Sequence, residues 1–444
     1  MKKILLGLGL LVPGLALAET ATPAATLDKG DSAWIIVATA LVLLMTPALA
    51  IFYGGLVKRK NVLNTMLLCF ITMGVVSLTW VLLGFSLAFG KSGNGFIGDL
   101  TYLFGADLSI DSPYGTQTIP LALFMLFQMK FAIITPALVS GAVAERIKFS
   151  GFILFTALWS LLIYAPMACW VWNPNGWLAK MGALDFAGGT VVHLASGVTA
   201  IALLAVIGSR RNRETTPNNL TLTLFGAGML WFGWFGFNAG SALAMDKLAV
   251  NAFLTTHTAA AAGLVGWLLV ESLTKGKAGA IGCASGLVAG LVAVTPAAGF
   301  VGVVPSLAIG LLAGAICCLA IELKHKLRYD DALDVVGIHG VGGLLGAILT
   351  GVFADPAINP LVSMPNGRGG LILTQLAAVG AVGAFAFIGS WILAKLVSAT
   401  VGLRADEHEE ISGLDLAYHG EDGYGDLIPS SLEGEALREP VGAR

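Results

Sequence analysis

Charge is what this sequence has least of. Asp, Glu, Lys and Arg together make up 12% of its 444 residues, at a formal net charge of −2. There is no basic patch, so no nucleic-acid partner is expected. Cysteine is sparse as well. Cys69, Cys169, Cys283, Cys317 and Cys318 are an odd number without CxxC spacing; they read as buried thiols rather than a disulfide framework or a metal site. No carboxylate or cysteine stands at ligand spacing beside a buried histidine, and no nucleophile–base pair is visible. Neither a metal or haem cofactor nor an enzyme is therefore expected. What fills the chain is apolar: 56% of it is hydrophobic and the mean hydropathy is +0.83. That is far from a soluble domain.

In chain order, Lys2-Lys3, the apolar run Ile4 to Leu17 and the small-residue site Ala16-Leu17-Ala18 read as a signal peptide, residues 1–18, cut before Glu19. The run carries Pro13 and Gly14 and is short for a span, with an uncleaved anchor as the alternative. Eleven apolar segments follow, at about 33–57, 62–89, 118–142, 149–172, 188–208, 220–242, 250–270, 278–296, 301–322, 333–354 and 371–400. The weakest, 278–296, is rich in Gly and Ala, which suits a helix packed closely inside a bundle. Residues 19–400 thus form one transmembrane domain and 401–444 a tail.

Lys and Arg set the orientation. One set of loops holds thirteen of them: Lys58, Arg59, Lys60, Arg146, Lys148, Arg210, Arg211, Arg213, Lys275, Lys277, Lys324, Lys326 and Arg328. The opposite loops and the amino-terminal segment hold five, Lys29, Lys91, Lys180, Lys247 and Arg368. The first set faces the cytoplasm, which places the amino terminus in the periplasm and the tail inside. The fold class expected is an all-α membrane protein in the bilayer, with eleven transmembrane helices. Five plus five form an inverted pseudo-repeat, followed by a long last helix.

His193 and His339 lie inside apolar spans, at equivalent places in the two halves. His193 closes Asp185-Phe186-Ala187-Gly188-Gly189-Thr190-Val191-Val192-His193 in the fifth span, about 12 Å deeper than Asp185 at helical rise. His339 lies in the tenth span, the equivalent place in the second half. A lone buried histidine is usually a satisfied core residue, but ionisable groups in hydrocarbon mark a pathway. Asp185 precedes its helix and suits an N-cap. Aromatic residues converge on the outer mouth: Phe127 and Phe131 one helical turn apart, Trp170 and Trp172, and Trp231 to Phe237 before Ser241. Interface belts are the bland account of them; ring faces and a hydroxyl that hold a small cation are the functional one. Lys130, inside the third span, either snorkels or faces a polar gap.

These stretches resemble the ammonium transporter family, Amt/Mep/Rh, in its bacterial Amt form. The resemblance rests on DFAGGTVVH (185–193), GWFGFNAGS (233–241), VAERIKF (143–149), DDALDVVGIHGVGG (330–343), TPAAG (295–299), VGLR (401–404) and the segment 413–424. It implies an inner-membrane homotrimer with one pore per subunit, carrying ammonium or ammonia. Trp172, Phe131 and Ser241 would form the outer ammonium site, Phe131 and Phe237 the gate, His193 and His339 the pore lining, and Asp185 the acid supporting the mouth. Asn173 to Trp177 is one residue longer than the usual form, which leaves Trp170 as the other candidate for the site tryptophan. The resemblance also implies a cytoplasmic PII (GlnK-like) protein that caps the inner mouths by way of the tail. Leu403, Ile411, Leu414 and Leu416 are the anchors expected to dock that tail. A Rh-like channel for neutral gas and an ammonium sensor are the alternative readings.

Overall fold

A chain in hydrocarbon has no water to satisfy its peptide groups, and helices satisfy them internally. The structure is a computed structural model that describes residues 25–214 and 216–425. The segment read as a signal peptide and the tail beyond residue 425 lie outside those residues. Ten of the described helices are long and apolar enough to cross a membrane. They are α1 Lys29–Leu56, α2 Arg59–Phe89, α3 Leu121–Val143, α4 Phe149–Lys180, α5 Gly189–Ile207, α6 Leu220–Gly240, α7 Lys247–Lys275, α9 Val303–Lys324, α10 Val336–Phe353 and α11 Gly367–Thr400. At the eighth segment stands a shorter apolar helix, α8, Ala280–Val294, of 15 residues. At helical rise it is about 22 Å long, under the roughly 30 Å of a hydrocarbon core.

Helix packing is glycine-mediated. α1 lies along α6, α7 along α9 and α5 along α11. α8 is wedged against α7 so tightly that a Cβ on Gly290 would stand 2.2 Å from the Ala259 carbonyl oxygen. α5 and α10 also cross closely, since a Cβ on Gly197 would stand 2.2 Å from the Cα of Gly340. The two helices run antiparallel. The carbonyl of Ile207, at the end of α5, bonds Arg404 of the tail, while Asp330, just before α10, pairs with Arg210, just after α5.

The tail-side face is tied together by buried ions. Arg210 lies between Asp330 and Glu145, 2.8 Å from each. The Arg146 guanidinium donates to the carbonyls of Gly208, Ala144 and Asp330. Burial works to raise the Asp330 carboxyl, but its bonds to Arg210 and the charge of Arg146 hold it at about 2.

The tail continues this network. The Lys148 N–H donates to Leu403 O, and the Ala405 N–H to Arg146 O. Arg404 pairs with Glu410 at 2.8 Å. Asp415 then caps α2 from a distance in sequence, accepting the N–H groups of Leu63 and Asn64 at 3.0 and 2.8 Å. A carboxylate there offsets the positive end of the helix dipole. Of the expected apolar anchors, Leu403 and Leu414 are buried and Leu416 is half-buried, but Ile411 is 61% exposed. Charge and capping take its place, because a tail lying on helix ends meets unpaired N–H groups and arginines.

Gly197→Ala is expected to cost about 1–3 kcal/mol by forcing α5 from α10. Gly228→Ala is the control, since a Cβ there meets nothing within 4 Å. Thermal unfolding in detergent tests this; equal midpoints for the two variants would show that the crossing yields freely.

Candidate functional site

His193 and His339 both sit where the α-helix widens. Gly189–Leu194 opens α5 as a π-helical turn that contains His193, and Val336–Gly340 opens α10 as another that contains His339. Such turns shift a side chain from its regular helical register and recur at functional sites. Gly343 lets the turns approach: a Cβ there would stand 2.7 Å from the Gly189 carbonyl oxygen and 3.0 Å from the His193 Cβ.

The rings meet as a consequence. His193 Nδ1 and His339 Nδ1 are 3.2 Å apart, and the ring centroids are 5.3 Å apart at 22°. At that separation a hydrogen bond requires one ring to donate and the other to accept. In the neutral pair, the form that apolar surroundings favour, one ring keeps an Nε2–H and the other a bare Nε2. His193 Nε2 is buried and has no hydrogen-bond partner. Both rings line a narrow space of about 10 Å³, otherwise walled by Leu49, Ile134, Leu138 and Ile338 among others. That is room for about one water-sized molecule.

A column of aromatic rings rises from the pair. His193 stacks on Trp234 at 5.3 Å and on Phe237 at 6.0 Å. Phe237 is 4.5 Å from Phe131, and Phe131 is 5.8 Å from Trp172. Above Phe131, on the face opposite the tail, lies a cavity of about 540 Å³ lined by Phe131, Trp172, Asp185 and Ser241, with Gln128 and Phe186 beside them. Trp172 donates from its indole N–H to the Asp185 carbonyl at 3.0 Å. Ser241 donates its hydroxyl to the Phe237 carbonyl at 2.8 Å, which leaves the oxygen lone pairs free to accept. Trp170 lies elsewhere, against Phe96, Trp177 and Phe385.

Asp185 is buried at the head of α5. Its carboxylate accepts the N–H groups of Gly188, Gly189, Thr190 and Val191 and the Thr190 hydroxyl. Gly188 makes this turn possible at φ 118°, a conformation closed to most residues. Lys130 lines neither of these two spaces; it is half-buried, with Nζ 3.8 Å from the Met129 sulfur.

Trp234, Thr190 and the two π-helical turns escaped the reading of the sequence. Trp234 stood in a run of aromatic residues with nothing to set it apart. The turns leave no local signal, because they arise from packing between helices.

Residues 33–424 match the profile of the Ammonium Transporter Family. A putative ammonium transporter of Methanothermobacter thermautotrophicus is 50% identical over 404 residues, covering 90% of this chain and 99% of its own. The ammonium transporter of Bacillus subtilis is 48% identical over 406 residues, covering 90% of this chain and 100% of its own. Among solved structures, Candida albicans Mep2 is 33% identical, with a TM-score of 0.82 over 91% of this chain and 93% of that one. With the helices described above, these matches show that the chain is a multi-pass membrane protein belonging to the ammonium transporter family, a family of transporters and not of enzymes.

Proposed function

We propose that the chain carries ammonium across the bacterial inner membrane by capturing the cation, removing a proton and passing ammonia along the histidines. The observation that carries this reading is the His193–His339 pair, in contact at 3.2 Å beneath a phenylalanine pair. The cation is held in the cavity opposite the tail, with the faces of Trp172 and Phe131 on one side and the Ser241 oxygen on another. Asp185 shapes this mouth by fixing the start of α5. It makes no direct ion contact, because its oxygens are occupied by the helix end.

Potassium has the size and charge of ammonium, so capture alone separates them poorly. The dry pore below does more. Desolvating any ion there is costly, and ammonium alone escapes the cost by giving a proton at the Phe131–Phe237 gate to the imidazole pair beneath it. Neutral imidazoles then offer ammonia one donor and one acceptor, and their shared bond can relay a proton.

Residues 1–18 serve as a signal peptide, 19–400 as the transport domain and 401–444 as a regulatory tail. The excess of Lys and Arg on the tail face supports a cytoplasmic tail and a periplasmic mouth. The antiparallel crossing of α5 and α10, each opened by a π-helical turn with its histidine, supports an inverted five-plus-five repeat. α8, counted as a span, completes eleven. The assembly is a homotrimer, with a PII (GlnK-like) protein bound at the cytoplasmic face. The tail's docking on that face supports a part in this control.

Current and flux from purified protein in liposomes, with ammonium against potassium, test the reading. His193→Ala and His339→Ala are expected to lower selective ammonium flux about tenfold or more while folding persists. Wild-type flux and selectivity in both variants would refute the relay.

Trp172→Leu is expected to cost about 0.5–2 kcal/mol of capture. Half-saturation then rises by a few-fold to about thirtyfold, with maximal flux less affected. Trp170→Leu serves as the comparison, and an equal shift in both would point away from a cation site at Trp172.

Truncation after Leu403 removes the Arg404–Glu410 and Asp415 contacts. It is expected to lower activity or abolish PII control, measured by pull-down and flux. Unchanged binding and inhibition would leave the tail without a regulatory part.

A further inference from the structure

The pore has a second acid, which the mechanism above leaves unused. Asp331 stands eight residues before His339, as Asp185 stands eight before His193. Because α5 and α10 cross antiparallel, the two acids mark opposite ends of the histidine column. They are not held alike. Asp185 is saturated by four backbone N–H groups and a hydroxyl. Asp331 is 1% exposed, and its Oδ2 accepts the Val336 N–H at 2.7 Å. Its Oδ1 is buried with no hydrogen-bond partner. An acid serving only as a cap has no need of that unpaired oxygen, and a buried unsatisfied oxygen calls for a reason.

The surrounding charges leave Asp331 uncompensated. Lys324 of α9 donates to the Asp331 main-chain carbonyl, but its side-chain partner is Asp334. Arg146, from the loop between α3 and α4, is bonded to the carbonyl of Asp330. Tyr53 of α1 and Tyr329 also face the acid, and His339 lies further along α10. Burial, and then repulsion by Asp334, push the Asp331 carboxyl above the ordinary range, although Lys324 and the N–H groups of α10 pull the other way. The bonded N–H of Val336 is three residues before His339, about 5 Å along the helix axis. The proton path proposed below crosses that gap through water.

Resting on the transport reading above, we propose that Asp331 is the inner proton acceptor, taking the proton relayed by the histidines and returning it to ammonia at the tail-side mouth. The ionised carboxylate gains an O–H as the relay loses an N–H through water. That O–H breaks when the ammonia lone pair takes the proton, forming ammonium and restoring the carboxylate. One proton leaves ammonium at the gate and one joins ammonia at the exit, so the cycle balances.

The test is ammonium-driven current in proteoliposomes at a series of inner pH values, for wild type, Asp331→Asn and Asp331→Glu, with thermal unfolding of each. Asparagine keeps an acceptor for the Val336 N–H and cannot titrate. Asp331→Asn is expected to unfold at the wild-type temperature and lose current about tenfold or more. Wild-type current falls as inner pH drops and the carboxyl protonates; the Asn variant lacks that limb and Asp331→Glu shows it displaced. Wild-type vesicles without ammonium current would overturn the transport reading and this proposal with it. Wild-type current matched by Asp331→Asn, with the same inner-pH dependence, would overturn the role of Asp331 alone. If neither variant folds, Asp331 is a structural acid and the proposal falls.

Discussion

Two imidazoles, one hydrogen bond apart inside an apolar bundle, set the terms for the rest of this structure. A helix normally keeps a neighbour 8–10 Å away, axis to axis, because side chains intervene. Here Gly197 faces Gly340 and Gly343 faces the turn of His193, so backbone meets backbone at the crossing. The π-helical turns then carry the rings into the space between the helices. Each of these devices costs helix stability when taken alone. Together they hold the rings close enough for Nδ1 to meet Nδ1 while both face a space of about one molecule.

The acids at the helix heads follow from the same constraint. A helix that begins inside a membrane protein exposes N–H groups that water cannot reach, and these require an acceptor. Asp185 answers this fully on one side of the pore. On the other, the work is divided between neighbours: Asp330 is neutralised by Arg210 and approached by Arg146, while Asp331 caps α10 with one oxygen. Arg146 also receives the tail through Ala405. The tail is therefore one arginine and two adjacent acids away from α10, a short physical path between the tail face and the histidines.

Aromatic rings complete the arrangement because they combine bulk with a negative face. Trp172 and Phe131 line the cavity with ring faces, and Phe131 packs on Phe237 below it. One residue, Phe131, thus belongs to both places.

The sequence by itself determined the class, the helices and the chemistry on offer. Scarce charge and long apolar runs dictate a helical membrane chain, because hydrocarbon tolerates little else. The runs DFAGGTVVH and DDALDVVGIHGVGG expose two histidines that such a chain does not carry idly. The equal spacing of Asp185 and Asp331 from these histidines was also legible there. Only the tertiary structure decided what these residues touch. It set Trp172, and not Trp170, against Phe131, stacked Trp234 on His193, left Ile411 exposed and made Asp415 the cap of a helix about 350 residues earlier. It also saturated Asp185 and left an oxygen of Asp331 without a partner. Hydropathy and spacing register along one chain, whereas ring contacts, caps and unsatisfied oxygens depend on which helices cross and how near their glycines let them come.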